Sequence, residues 1–113
     1  MTGITTHVLD TSLGKPAVGV RVLLERRQGG GWQRVNSAET GADGRTPDLL
    51  PPTVTIAPGT FRLSFDTGSY FLSQRVAGFY PEVSIVFEIQ NPGEHHHVPL
   101  LLSPFGYSTY RGS

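Results

Sequence analysis

Apolar residues recurring at every second position constrain this chain more than any other feature. Val18, Val20, Val22 and Leu24 alternate with Gly19, Arg21, Leu23 and Glu25. Phe61, Leu63 and Phe65 alternate with Arg62, Ser64 and Asp66, and Val83, Ile85, Phe87 and Ile89 with Ser84, Val86 and Glu88. Successive strand side chains point to opposite faces, so this period describes strands with one buried face. Further strands are expected over residues 4–10, 32–40, 96–102 and 107–110, with a short one near 53–56. The 14 glycines and 9 prolines are spread along the chain, so they read as turns rather than as a linker. Gly14-Lys15-Pro16, Gly29-Gly30-Gly31, Gly41-Ala42-Asp43-Gly44 and Asn91-Pro92-Gly93 supply the φ values that tight connections need.

One segment departs from the period. Residues 67–76 offer Thr67 as an N-cap, with Tyr70, Phe71 and Val76 as the apolar positions of a short helix that Gly78 and Pro81 would stop. The expected architecture is all-β: about eight short strands and one small helix in a β-sandwich.

A chain of 113 residues can bury one core, so residues 1–113 are expected to form a single domain. Nine basic and nine acidic residues balance, which gives no sign of nucleic acid or of an anionic membrane as a partner. The absence of cysteine excludes a disulfide scaffold, a thiolate zinc site and a cysteine nucleophile, and it fits a reducing compartment. No basic start followed by an apolar core marks a signal peptide, and no apolar run approaches a membrane span. A soluble cytoplasmic protein is the expectation.

The strand over 97–102 is apolar on both faces: Val98, Leu100 and Leu102 point one way, Pro99 and Leu101 the other with His97. Either the strand is buried within one chain, or its second face meets another subunit.

The four histidines are His7, His95, His96 and His97. On a strand, His95 and His97 share a face and His96 opposes them. A His-x-His pair with His7 as third ligand is one way to hold zinc; solvated imidazoles on a surface turn are the stronger alternative, and no metal is expected. Arg45 follows the Asp43-Gly44 turn and is either an exposed side chain or a clamp for an anion or oxyanion. The tail, Tyr110-Arg111-Gly112-Ser113, follows a strand directly and brings a phenol, a guanidinium and a hydroxyl with it.

Taken together these residues resemble the transthyretin-like family, and within it the branch of 5-hydroxyisourate hydrolases. The resemblance runs through Thr6-His7-Val8-Leu9-Asp10, Gly14-Lys15-Pro16-Ala17 and Thr40-Gly41-Ala42-Asp43-Gly44-Arg45. It continues through residues 65–71, Phe79-Tyr80-Pro81-Glu82 and residues 95–104, and ends on residues 107–113. The terminal Tyr-Arg-Gly-Ser is its most specific element, because the hormone-carrying transthyretins lack it. One departure is visible: the family usually has an aromatic residue, commonly Tyr, where this chain has His96.

The resemblance implies a prealbumin-like sandwich of two four-stranded sheets with one short helix, assembled as a homotetramer, a dimer of dimers with sites in the channel between dimers. It implies His7, Arg45, His97 and Ser113 as catalytic residues and Tyr110, Arg111 and Gly112 as substrate-binding ones. It implies no cofactor and a purine-derived small-molecule substrate, whose six-membered ring is opened by water. A carrier of a small aromatic ligand is the alternative, which the paired imidazoles, Arg45 and the tail disfavour.

Overall fold

The structure, a computed structural model, describes residues 3–51 and 53–113. The alternating segments form strands, and turns rich in glycine and proline join them. In chain order the elements are β1 (Gly3–Thr5), β2 (Val8–Asp10), β3 (Lys15–Pro16), β4 (Arg21–Gln28), β5 (Gly31–Glu39), β6 (Gly59–Phe65), α1 (Thr67–Ser73), β7 (Val83–Ile89), β8 (His95–His97), β9 (Leu100–Ser103) and β10 (Gly106–Thr109). One four-stranded sheet has the order β5-β4-β6-β7 and the other β10-β9-β2-β3, while β1 and β8 form a two-stranded parallel ribbon.

The core lies between the sheets. Val22, Leu24, Phe61, Leu63, Phe65 and Ile89 come from one, and Ile4, Val8, Leu100 and Leu102 from the strands opposite. Each such side chain contributes about 1.5–3 kcal/mol through removal from water. Tyr70 and Phe71 of α1 close one part of this core. Among the described residues, no helix is long and apolar enough to cross a membrane.

Several local expectations are corrected. The strand expected over 4–10 is split into β1 and β2, joined by His7 in an isolated bridge. The strand expected over 96–102 is split into β8 and β9 at Val98-Pro99. Pro99 has no N–H to give to a ladder, and its carbonyl accepts from the Thr109 hydroxyl at 2.7 Å. The interruption costs little register: Gly3↔His95 and Val8↔Leu100 keep one offset across it. No strand forms over the described residues near 53–56; Pro52 lies outside the described residues.

The helix is capped by Asp66 rather than Thr67, the Asp66 carboxylate accepting from the Ser69 N–H at 3.0 Å. Thr67 is buried, and its hydroxyl donates to the Tyr80 carbonyl at 2.6 Å. The helix ends at Ser73, ahead of Gly78, because Arg75 turns into the left-handed region at φ 58°. Val76 therefore lies beyond the helix and is exposed, instead of sharing a face with Tyr70.

The two faces of the 97–102 segment differ. Val98, Leu100 and Leu102 are buried in the core, whereas on the outer side Pro99 is buried and His97 and Leu101 are only half-buried.

Candidate active site

The site starts from a turn. The Gly44 N–H donates to the Gly41 carbonyl at 2.9 Å, and the Gly41 N–H to the Arg45 carbonyl at 2.9 Å. Gly44 sits at φ +78°, a region open to glycine. A Cβ there would collide with the Val8 carbonyl oxygen and stand 3.2 Å from His7 Cδ2. That close approach lets the Gly44 carbonyl accept from the Val8 N–H at 2.8 Å and sets Arg45 in an antiparallel bridge opposite His7.

The next backbones complete the arrangement. On the other flank of β1, Thr5 is registered against His97, and the Val98 N–H donates to the Thr5 carbonyl at 2.9 Å. Beyond β8, the Gly112 N–H donates to the His97 carbonyl at 2.8 Å, and the two residues form an isolated bridge. Four neighbouring stretches of chain thus carry Arg45, His7, His97 and Gly112 side by side. Thr5 and His7 lie two residues apart, so they share the outer face of their strand, while Ile4, Thr6 and Val8 are buried on the inner one.

The electrostatics follow from this placement. Burial pushes the His97 imidazole below its ordinary pKa, and the Arg45 charge, with the neighbouring His7 and His95 rings, pushes it further the same way. The Thr5 backbone carbonyl opposes them by favouring a proton on the ring. The ring is therefore neutral at pH 7 and has a lone pair to offer. The Thr5 hydroxyl lies 2.8 Å from His97 Nδ1 and 2.8 Å from His95 Nε2.

The tail divides between two sides. Gly112 keeps the antiparallel register that pairs Thr109 with Leu100, so residues 110–112 extend β10 in line. Arg111 lies 3.6 Å from the Glu94 carboxylate in an exposed pair. It lines a cleft of about 240 Å³ with Tyr110, His96, Val98, Ile85 and Phe87, on the opposite side of β8 from the His97 ring. His96 is buried there, and burial followed by the charge of Arg111 pushes its pKa down. Ser113 is exposed beside Gly112.

His7, Arg45, His97 and Gly112 are thus brought together, while Tyr110 and Arg111 border the neighbouring cleft. Among the described residues, no three His, Cys, Asp or Glu side chains form a group that could hold a metal ion. His95 and His97 converge instead on the Thr5 hydroxyl. Thr5 is the residue that sequence reasoning misses, its signal being the strand period it shares with His7; His95 enters that reasoning only as half of a possible zinc pair with His97.

A two-sheet sandwich with this topology is the transthyretin-like β-sandwich. Sea bream transthyretin, solved in complex with thyroxine, superposes with a TM-score of 0.90 at 29% identity over 97% of this chain and 94% of that one. The family model described as HIUase/Transthyretin matches residues 4–112, and the chain belongs to that family. A 5-hydroxyisourate hydrolase of Salmonella dublin is 48% identical over 110 residues, 97% of this chain and 80% of the relative. The solved 5-hydroxyisourate hydrolase of Klebsiella pneumoniae covers both chains fully, with 34% identity and a TM-score of 0.86.

Proposed function

We propose that this protein hydrolyses 5-hydroxyisourate to 2-oxo-4-hydroxy-4-carboxy-5-ureidoimidazoline in urate degradation. The observation that carries the reading is the His7–Arg45–His97 face, in which one imidazole is kept neutral beside the exposed Arg45 cation.

The reaction needs three things, and this face offers each. One imidazole takes a proton from water, and the oxygen adds to a ring carbonyl carbon. A proton-accepting group matched to neutral pH is worth about 10²–10⁴-fold. Arg45 stabilises the oxyanion that forms at the carbonyl, as a planar guanidinium cation can. The carbon–nitrogen bond then breaks, the nitrogen takes the proton, and the six-membered ring opens to a carboxylate. No metal or other cofactor takes part in these steps.

Residues 1–113 act as one catalytic domain in this reading. His7, Arg45, His97 and Ser113 form the catalytic group, Ser113 as a hydrogen-bonding or proton-relay group. Tyr110, Arg111 and Gly112 form the substrate-binding edge: Gly112 packs on His97, and Arg111 holds the tail from the His96 side. Leu9 and Leu101, registered side by side and half-buried on the same outer face, support a homotetramer in which the sites face a channel between dimers. The protein would work as a soluble cytoplasmic enzyme.

The test is a coupled absorbance assay in which uricase generates 5-hydroxyisourate and its decay is followed. Faster decay with this protein, abolished in His97→Asn, is the expected result. Unchanged decay in the presence of the folded protein would overturn the reading in favour of a carrier of small aromatic ligands.

A further inference from the structure

The Thr5 hydroxyl stands 2.8 Å from one nitrogen on each of two imidazoles, His97 Nδ1 and His95 Nε2. A hydroxyl has one hydrogen to give. It can donate to only one of these nitrogens, so it must accept from the other. The tautomers of the two rings are therefore tied to one another through a single side chain.

The backbone sets the direction. The Thr5 carbonyl favours a proton on the His97 ring, and a carbonyl can only accept. With the Thr5 hydroxyl 2.8 Å from Nδ1 and the Thr5 carbonyl favouring a proton on the same ring, Nδ1 of His97 is best served as an N–H donor. The Thr5 hydrogen is then free for Nε2 of His95, which carries its own proton on Nδ1. The consequence falls on the far nitrogen of His97: Nε2 keeps a bare lone pair.

We propose that Thr5 is a positioning residue which, braced by His95, locks His97 in the Nδ1–H tautomer and so makes it, rather than His7, the group that takes the proton from water. This rests on the hydrolase reading given above. In the step itself the water proton passes to His97 Nε2, the oxygen bonds to the carbonyl carbon, and the imidazolium keeps its Nδ1–H on the Thr5 oxygen. The Nε2 proton then goes to the departing ring nitrogen, which restores the starting tautomer. A threonine serves here because it lacks charge: Arg45, His7 and His95 already surround the ring with positive or titratable groups, and a carboxylate at position 5 would raise the ring's pKa and keep it protonated.

The experiment is ¹⁵N NMR of the histidine rings in the whole protein, with kinetics on the same variants. The expected result is His97 with Nδ1 protonated and Nε2 bare. Thr5→Val, which keeps the shape and removes the hydroxyl, should release that tautomer and lower kcat about 10- to 100-fold with little change in KM. Thr5→Ser should restore both. His95→Asn should fall between parent and Thr5→Val. A parent His97 protonated on Nε2, or a Thr5→Val protein with unchanged tautomer and kcat, overturns the proposal. The hydrolase reading fails separately, if His97→Asn turns over normally; the tautomer measurement needs no activity to be read.

Discussion

Gly112 gives its N–H to the His97 carbonyl at 2.8 Å, and a methyl placed on it would sit 2.5 Å from Cδ2 of the His97 ring. The tail is therefore a wall against which that imidazole rests, and glycine is the residue that lets the wall come so close. Gly112→Ala should leave the core untouched, since position 112 lies outside it. The ring must shift, and a misplacement near 1 Å costs about 10²-fold in rate. A loss of that order in kcat with an unchanged melting temperature is the expected outcome. An alanine variant with parental kcat would show that the His97 position does not matter to turnover.

Arg45 sets the pH at which His97 is available. Burial and the Arg45 charge both depress the ring's pKa, so in the ligand-free protein the acid limb of kcat/KM should lie below the ordinary histidine value of 6.5. Arg45→Gln removes a positive charge, which makes protonation of His97 easier and raises its pKa. The acid limb should then move toward neutral pH, while its plateau falls because the oxyanion loses its partner. The two effects are read separately, as the position and the height of one profile. A limb that stays in place in Arg45→Gln would mean that Arg45 does not act on the titrating group.

His96 adds a dependence of stability on pH. It is buried, and its folded pKa is lowered. A histidine with a depressed folded pKa leaves the fold at full stability above its unfolded value near 6.5 and costs stability as the pH falls below it, because the unfolded chain binds the proton more readily. His97 acts in the same direction. Thermal unfolding followed from pH 8 down to pH 5 should show a decline starting near 6.5 that is shallower in His96→Tyr. Parallel curves for parent and variant would count against a neutral buried His96.

The strand period makes β4, β6 and β7 legible in the sequence, because each sends every second side chain into the core. The same period fails where the chain does two things at once. His7 sits between β1 and β2 as a bridge to Arg45, and Pro99 divides β8 from β9 without changing their register, so neither break leaves a mark in the alternation. The helix cap moves by one residue because Asp66 and Thr67 both have capping side chains; Thr67 is drawn inward to the Tyr80 carbonyl and leaves the cap to Asp66. At the site, His7, Arg45 and His97 are legible as residue types, but their meeting depends on pairings between segments far apart in sequence. Thr5 is hidden for the same reason: it is an ordinary strand threonine until β8 is laid beside it.

The helix is tied to the site-bearing strand by one buried hydrogen bond, and that bond makes a prediction about stability alone. The Tyr70 hydroxyl donates to Asp10 Oδ2 at 2.7 Å, with both residues buried. Burial raises the Tyr70 pKa, and the bond to Asp10 raises it further, so the phenol stays a donor throughout the working range. Burial alone would also raise the Asp10 pKa. The Ser12 and Tyr70 hydroxyls and the Leu13 and Ser12 N–H groups outweigh it and hold the carboxyl below its ordinary 3.8. The stabilisation is therefore present above that value and is lost as the pH falls through the lower, folded one. Tyr70→Phe removes one donor to a buried carboxylate and should cost about 1.5–3 kcal/mol at pH 7. Below the folded pKa of Asp10 the gap between parent and variant should narrow, since a protonated carboxyl accepts less strongly. Turnover at a temperature where both proteins are folded should not change, because neither residue belongs to the outer face that carries His7, Arg45 and His97. Denaturant unfolding at two pH values, with one kinetic comparison, checks all three points; a Tyr70→Phe protein as stable as the parent at pH 7 would remove this bond from the account of what holds the helix to β2.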